Sequence, residues 1–454
     1  MIYIVPYTIH ITSDKLGERV MINSEEKKII RELAKKVADI AQLPVMSQRR
    51  EMWKKHNGLQ DTKPMILVFP EGAWHELIPQ SQLKCENSLA REIEWKLLAR
   101  IYKHEKINDD SVVEKEWHVQ KEVTHTGWGV EPAQSVSNNS SGSAWAFDSI
   151  IGHTPKVWDK NFKFNNEAWG FDPVIKEPSD LKKIKYPEVI YDEKKSLGDY
   201  EIVRDLMGDI LDVKSTGKVY IQFALMEFYC FLRGLEQVMF DMYEEPEMLH
   251  EAMSILEEGN RRLISQYYDM NLLSLNNNVS YHSSGGVGYS MELPKEGFDG
   301  KKVRPCDIWA CAESQEMAQV SPQMHHEFVM QYEKRLLEPF GLNGYGCCEA
   351  LENKLDYVFE MPNMRRISIS PWADVAKCAE KLKNRYIFSW KPNPAYLAVS
   401  YDPAQIRSYV KSTLESTKEN VLEIILKDTH TCENQPERFT EWVKIVRELL
   451  SEYK

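Results

Sequence analysis

Leu342-Asn343-Gly344-Tyr345-Gly346-Cys347-Cys348-Glu349 is a short apolar run that ends in two adjacent thiols and a carboxylate, and a helical pattern opens directly after it near Leu351. Strand, polar turn and helix in that order make one β/α unit. Similar units recur on both sides of it. Strand-like apolar runs stand at 66–69, 219–225, 272–275, 308–311, 342–347, 366–370, 386–390 and 421–426. Helices with recognisable starts lie between most of them: Ser321-Pro322, Asp402-Pro403 and Asn434 each precede an apolar stripe at helical spacing, and proline after a Ser or Asp cap is a strong start signal. Eight near-continuous apolar strands alternating with helices predict an α/β fold of the closed (β/α)8 TIM-barrel type. An open doubly wound sheet is the second choice, because no Gly-x-Gly-x-x-Gly follows the first strand.

Working outward, residues 23–62 predict an N-terminal helical segment. Ile29, Ile30, Leu33, Val37 and Ile40 recur at helical spacing, with Asn23 and Glu26 set as a capping box. Leu43-Pro44 ends that helix, and a basic segment leads into the first strand. A second amphipathic helix runs over 87–104. Residues 71–215 read as a long excursion or cap after the first strand, with a polar linker at 135–143, and residues 217–454 carry the main βα repeats. The whole of 1–454 is expected to form a single barrel domain.

Composition narrows the function. With 454 residues and 43% of them hydrophobic the chain buries a large core. A net charge of -12 argues against a nucleic-acid partner, which needs clustered Lys and Arg, and disfavours a membrane surface. No window approaches 18 uninterrupted apolar residues, and the run 1–9 has neither a basic leader nor a small-residue cleavage site. The expectation is a soluble cytoplasmic protein. Its eight cysteines are dispersed, as reduced thiols would be.

In a barrel, functional residues sit at the C-terminal ends of the strands. Those ends read Pro70-Glu71-Gly72; Asn276 to Asn278 with the glycine-rich stretch 283–288; Cys311 to Glu316; Cys347-Cys348-Glu349; Ser370 to Asp374; Ser389 to Asn393; and Lys427 to His430 followed by Cys432. A thiolate beside a carboxylate is ordinary zinc chemistry, and His430-x-Cys432 is a second ligand-rich strand end. The glycine stretch lacks the Gly-Lys-Ser/Thr ending of a phosphate loop and is expected to be a flexible lid. His325 and His326 fall inside a helix, as structural or exposed residues. Trp117, Trp128, Trp145, Trp158 and Trp169 in the excursion are core or a roof over a substrate pocket.

Six stretches carry a resemblance: Leu43-Pro44-Val45 leading to Trp53 and Pro64-Met65, Glu313-Ser314-Gln315-Glu316, Tyr345-Gly346-Cys347-Cys348-Glu349, Ser368 to Asp374, Lys391-Pro392-Asn393-Pro394, and Lys427 to Thr431. Through them the chain from about Leu43 to its end resembles the uroporphyrinogen decarboxylase-like superfamily, which includes methyltransferases that serve corrinoid proteins. The Arg-Gln-Ala-Gly-Arg clamp of the porphyrin decarboxylases is replaced here by Met46-Ser47-Gln48-Arg49-Arg50-Glu51, which points away from porphyrins. The resemblance implies a zinc-dependent methyltransferase, of the O-demethylase type, that passes a methyl group from a small methylated substrate to the cobalt of a corrinoid (cobalamin) on a partner protein. It implies zinc ligands drawn from Cys347, Cys348, Glu349, His430 and Cys432. The catalytic residues expected with it are Glu313, Glu316, Asp374 and Lys391, and the substrate contacts Trp145, Asn277, Trp372 and Asn393. Two further readings compete: a metal-independent lyase on a small carboxylic acid, with Lys391 and Arg365 or Arg366 as anion binders, and a non-enzymatic metal- or corrinoid-binding protein. A homodimer is compatible with the sequence.

Overall fold

Residues 22–60, 62–131, 133–134, 145–148, 152–161 and 171–452 are described by a computed structural model of the chain. The run 1–9, the polar linker 135–143 and Trp169 lie outside the described residues.

Seven strands form one all-parallel sheet. They are β1 (Met65–Val68), β2 (Gln222–Phe223), β3 (Trp309–Ala312), β4 (Leu342–Tyr345), β5 (Met364–Ile369), β6 (Ile387–Trp390) and β7 (Val421–Leu426). Their spatial order is β1-β7-β6-β5-β4-β3-β2. The first strand thus lies beside the last, with Met65 opposite Glu423 and Val68 opposite Leu426. Both are buried along their whole length, as strands covered on two faces must be. The eighth strand expected at 272–275 contributes only an isolated bridge between Leu273 and Lys218. Among the described residues no ladder joins β1 to β2, so the fold shown is a seven-stranded parallel α/β sheet, one strand short of the expected closed barrel.

The N-terminal helix α1 (Ser24–Ala41) starts on the expected capping box, with the Asn23 side chain accepting from the Glu25 and Glu26 amides. The Glu26 carboxylate also accepts from the amides of Glu86 and Asn87 at 2.8 Å, which fixes the entry of α3 (Ser88–Tyr102). Pro44 does more than end α1. It stands at the first position of a second helix, α2 (Pro44–Asn57), where the missing N–H costs nothing. In the excursion, Glu116–Gln120 pairs in parallel with Asp212–Thr216, and Glu122–His125 pairs antiparallel with Val189–Asp192. No helix among the described residues is long and apolar enough to cross a membrane.

The glycine-rich stretch is not a lid. Tyr281–His282 and Gly286–Val287 pair as a short antiparallel hairpin, and residues 279–290 are buried throughout. The glycines are there because the neighbours leave no room. A Cβ on Gly286 would lie 2.3 Å from Arg366 Cζ, and one on Gly288 would lie 1.8 Å from the Asn276 carbonyl oxygen.

Arg366 of β5 is the hub of this interior. Its Nε donates to Glu423 Oε1 of β7 at 2.9 Å, its Nη1 meets His282 Nδ1 at 2.8 Å, and its Nη2 donates to Asn57 Oδ1 at 2.8 Å. His56 of α2 reaches Glu423 Oε2 at 3.2 Å, and Ser389 Oγ of β6 donates to Glu423 Oε1. Burial alone would raise the Glu423 carboxyl, but Arg366, His56 and Lys391 outweigh it and hold the group well below the usual carboxylate range. Arg366→Met should therefore destabilise the fold by about 3–5 kcal/mol, the cost of leaving a buried charge without its partner. Urea unfolding checks this, and an unchanged midpoint would mean that the pair does not hold the sheet together.

Candidate active site

Because the strands run parallel, the residues that follow them share one rim. Carboxyl groups and thiols collect behind β3 and β4. Glu313 is 3% exposed and accepts from Gln222 Nε2 at 3.5 Å. Burial pushes its carboxyl well up, and Cys347, Glu227, Glu316 and Glu349 nearby push in the same direction. Glu316 is raised to about 7, chiefly by burial, with the Glu349 charge adding and hydrogen bonds opposing. Both acids are thus held toward their neutral form. Cys347 Sγ lies 3.7 Å from Cys348 Sγ and receives a hydrogen bond from Ser284 Oγ at 3.6 Å. The neighbouring thiol and burial keep the Cys347 proton on, against the pull of Lys427.

Glu349 has a different task. Its Oε2 accepts from the Cys347 amide at 2.8 Å and its Oε1 from the Ser314 amide at 3.3 Å. It clamps the turn after β4 to the turn after β3. Below it, Glu333 accepts from Ser314 Oγ at 2.8 Å and from the Tyr345 hydroxyl at 2.9 Å. His325 lies 3.2 Å from that hydroxyl and is fully buried.

The opposite side of the rim carries amines. Lys391, after β6, donates to Ser389 Oγ at 2.6 Å and to the Ser389 carbonyl at 3.0 Å. Burial brings its amine down to about 7; Glu423 resists this, while the charges of Lys427 and Arg366 reinforce it. Lys427, after β7, donates to Ser284 Oγ at 3.4 Å and lies 3.2 Å from Asp428 Oδ1. Burial would lower its amine too, but Asp428, Tyr281, Cys347 and Glu71 hold it above its ordinary value. Glu71 is buried, accepts from the Asp428 amide at 3.1 Å, and is pushed well up by burial and by the Asp428 charge. Glu71 and Asp428 both have left-handed backbones, with φ of 48° and 62°. Such strain persists only where the surroundings impose it.

The structure brings Glu313, Glu316, Cys347, Cys348, Glu349 and Lys391 to one rim but scatters the other expected residues. Cys432 Sγ donates to Glu76 Oε2 at 2.9 Å, and the same oxygen takes the Cys432 and Asn434 amides. That thiol is tied up in a loop clamp. His430 packs over Gly72, where an added Cβ would lie 2.8 Å from His430 Nδ1. Among the described residues no group of three or more His, Cys, Asp or Glu side chains is arranged to hold a metal ion, so the five expected zinc ligands do not converge. Asp374 is a helix cap, accepting from the Lys377 amide at 3.0 Å. Asn393 caps the next turn through the Ala395 amide at 2.9 Å, and Asn277 is bound to the Leu293 carbonyl at 2.7 Å. Trp372 is 71% exposed on the surface, and Trp145 lies on the short strand Trp145–Asp148 with its side chain outside the described residues. The arginines of the lyase reading are committed elsewhere, Arg366 in the interior and Arg365 to Glu292 at 2.6 Å.

Sequence reasoning did not single out Glu227, Gln222 or Ser284, and it placed Glu71 at a strand end without giving it a role. Glu227 had a signal, a single charge inside the apolar stretch 224–232. The others become visible only through partners distant in the chain.

No family model matches the chain, and no curated protein matches it. Among solved structures 25 chains match. One is a methyltransferase from Methanosarcina mazei, with a TM-score of 0.46 and 10% identity over 88% of this chain and 98% of that one. No residue role is carried over from it.

If Glu349 clamps the two turns, Glu349→Ala leaves two amides without their acceptor and should cost about 2–3 kcal/mol. Chemical denaturation measures this, and wild-type stability would show that the turns hold without it.

Proposed function

We propose that this chain is a methyltransferase that removes a methyl group from a small methylated substrate at the C-terminal rim of the sheet. The sheet is read as a (β/α)8-type barrel of the uroporphyrinogen decarboxylase-like kind, with this rim as its mouth. One observation carries the reading: two carboxyls, Glu313 and Glu316, are pushed toward their acid form beside the half-buried thiols of Cys347 and Cys348. A methylated amine or ether is a poor donor because its leaving group is a strong base. An acid with a pKa near the working pH lowers that barrier by protonating the group as it departs.

The proposed acceptor is the reduced cobalt of a corrinoid on a partner protein. The bond from methyl carbon to nitrogen or oxygen breaks, and its electron pair stays with the leaving atom, which takes the proton of Glu316. The cobalt supplies the electron pair for the new bond to the methyl carbon. Lys391 and Lys427 bound the opposite wall, and Ser284 orients the Cys347 thiol. The spacing of Cys347 and Cys348 matches the ~3.8 Å edge of a tetrahedron with Zn–S near 2.3 Å. These two thiols are the residues that would hold zinc, giving up their protons to it; they supply two donors, since among the described residues no third His, Cys, Asp or Glu is set with them. Zinc bound there would supply Lewis acidity toward the departing atom.

The acid sets the sign of the pH dependence. Glu316 must be protonated to act, so turnover should be full below about 7 and fall as pH rises through that value. Glu316→Gln should lower kcat by about 100-fold or more and abolish that limb, measured as the spectral change of the corrinoid on methylation. An unaltered pH profile in Glu316→Gln would remove the acid from the mechanism. Metal content gives a second test. Protein purified without added metal should carry about one zinc per chain, lost in Cys347→Ala and Cys348→Ala and kept in His430→Ala and Cys432→Ala. Loss in His430→Ala would overturn the assignment.

A further inference from the structure

Ser370 and Lys391 stand side by side at the ends of β5 and β6, on the inner face of the sheet. The register places them there. Ser368 pairs with Ser389 and Ile369 with Trp390, and the Lys391 amide continues the ladder by donating to the Ile369 carbonyl at 2.9 Å. Neighbouring strands lie about 4.8 Å apart, and alternate side chains along a strand share a face. Arg366 and Ser389 point inward to Glu423, so Ser370 and Lys391, each an even number of residues further on, face inward as well. Both are buried, with Lys391 3% and Ser370 0% exposed.

The hydrogen bonds of Lys391 leave one direction of its amine unused. Ser389 Oγ spends its own proton on Glu423 Oε1, so toward Lys391 Nζ it can only accept, and the Ser389 carbonyl can do nothing else. Among the described residues Nζ has no third hydrogen-bond partner. Two N–H bonds aimed at two acceptors, with a lone pair left over, is the pattern of a neutral amine, whereas an ammonium would strand a buried N–H. Burial and the charges of Lys427 and Arg366 favour the same state and bring the amine to about 7. A desolvated lysine beside other cationic groups is an activated nucleophile. Ser370 supplies the second half. Its Oγ has no partner among the described residues, which is rare for a buried hydroxyl, so its proton is available to an oxygen that arrives beside Lys391. From this geometry we infer that Lys391 and Ser370 form a carbonyl-binding site, in which the amine condenses with a small aldehyde or ketone to a Schiff base while the Ser370 hydroxyl donates to the carbonyl oxygen. The Nζ lone pair forms the bond to the carbonyl carbon, and the π pair moves to the oxygen. Both amine protons then leave with that oxygen as water, and a carbon–nitrogen double bond remains. The site uses neither thiol nor Glu316, so it stands apart from methyl transfer.

Reductive trapping of the full chain with propanal and sodium cyanoborohydride, read by mass-spectrometric peptide mapping, tests it. At a pH of about 7 Lys391 should be propylated about tenfold or more faster than the exposed Lys411 and Lys444, because an ordinary lysine is almost wholly charged at that pH. The Lys391 rate should saturate with propanal concentration and level off above a pH of about 7, while the rates at the exposed lysines do neither. Ser370→Ala removes a hydroxyl that has no partner, so the thermal midpoint should hold. The same variant should slow adduct formation at Lys391 about tenfold or more. Modification of Lys391 no faster than of Lys411 and Lys444 would overturn the inference, and so would an unchanged Lys391 rate in Ser370→Ala.

Discussion

The buried ion pair between Arg366 and Glu423 is the constraint on which the rest of the interior depends. Two charges taken out of water cost several kcal/mol each, and the loss is offset only when every donor and acceptor finds a partner. Here the partners come from α2, from β6 and from the internal hairpin, through Asn57, His56, Ser389 and His282. A shift of β5 by one residue would turn Arg366 to the other face of the sheet and leave Glu423 charged and alone. The pair therefore fixes the register of the strands that carry the rim, and it explains why a glycine stands at 286 in the hairpin that passes beside it.

The same pair sets the state of Lys391. Ser389 links the two, because its hydroxyl donates to Glu423 and accepts from the lysine. Arg366 answers most of the Glu423 charge, so little of it is left to stabilise an ammonium at Lys391, and burial wins. Across the rim burial wins again, over carboxyls: Glu313 and Glu316 rise as Lys391 falls. Carboxyls pushed up on one side of the rim and an amine brought down on the other are two results of the same burial. Lys427 and Asp428 are the exception, a charged pair kept by mutual contact.

Local patterns were legible in the sequence. The Asn23 and Glu26 capping box, the helix that opens near residue 87 and the strand ends after 342–345 and 421–426 depend on residues close in the chain, so periodicity and turn chemistry reveal them. The failures share a cause of the opposite kind. The glycine stretch 283–288 reads as flexible until Arg366 and Asn276 are seen pressing on it. Cys432 reads as a ligand until Glu76, 356 residues away, is found holding it. The run 272–275 is as apolar as a strand should be, yet it makes a single bridge, because apolar composition specifies burial and not hydrogen-bond partners.

The excursion between β1 and β2 is where this chain departs from a bare alternation of strands and helices. Its two small pairings, 116–120 with 212–216 and 122–125 with 189–192, carry the chain to Trp128 and place that ring against α4 (Pro246–Asp269). A βα unit alone offers side chains at the rim but no wall behind it. Trp128 supplies that wall, Gly259 makes room for it, and Glu227 at the start of the helix after β2 faces a small cavity there. The excursion thus stands behind the rim, while the acids and thiols stand at the strand ends.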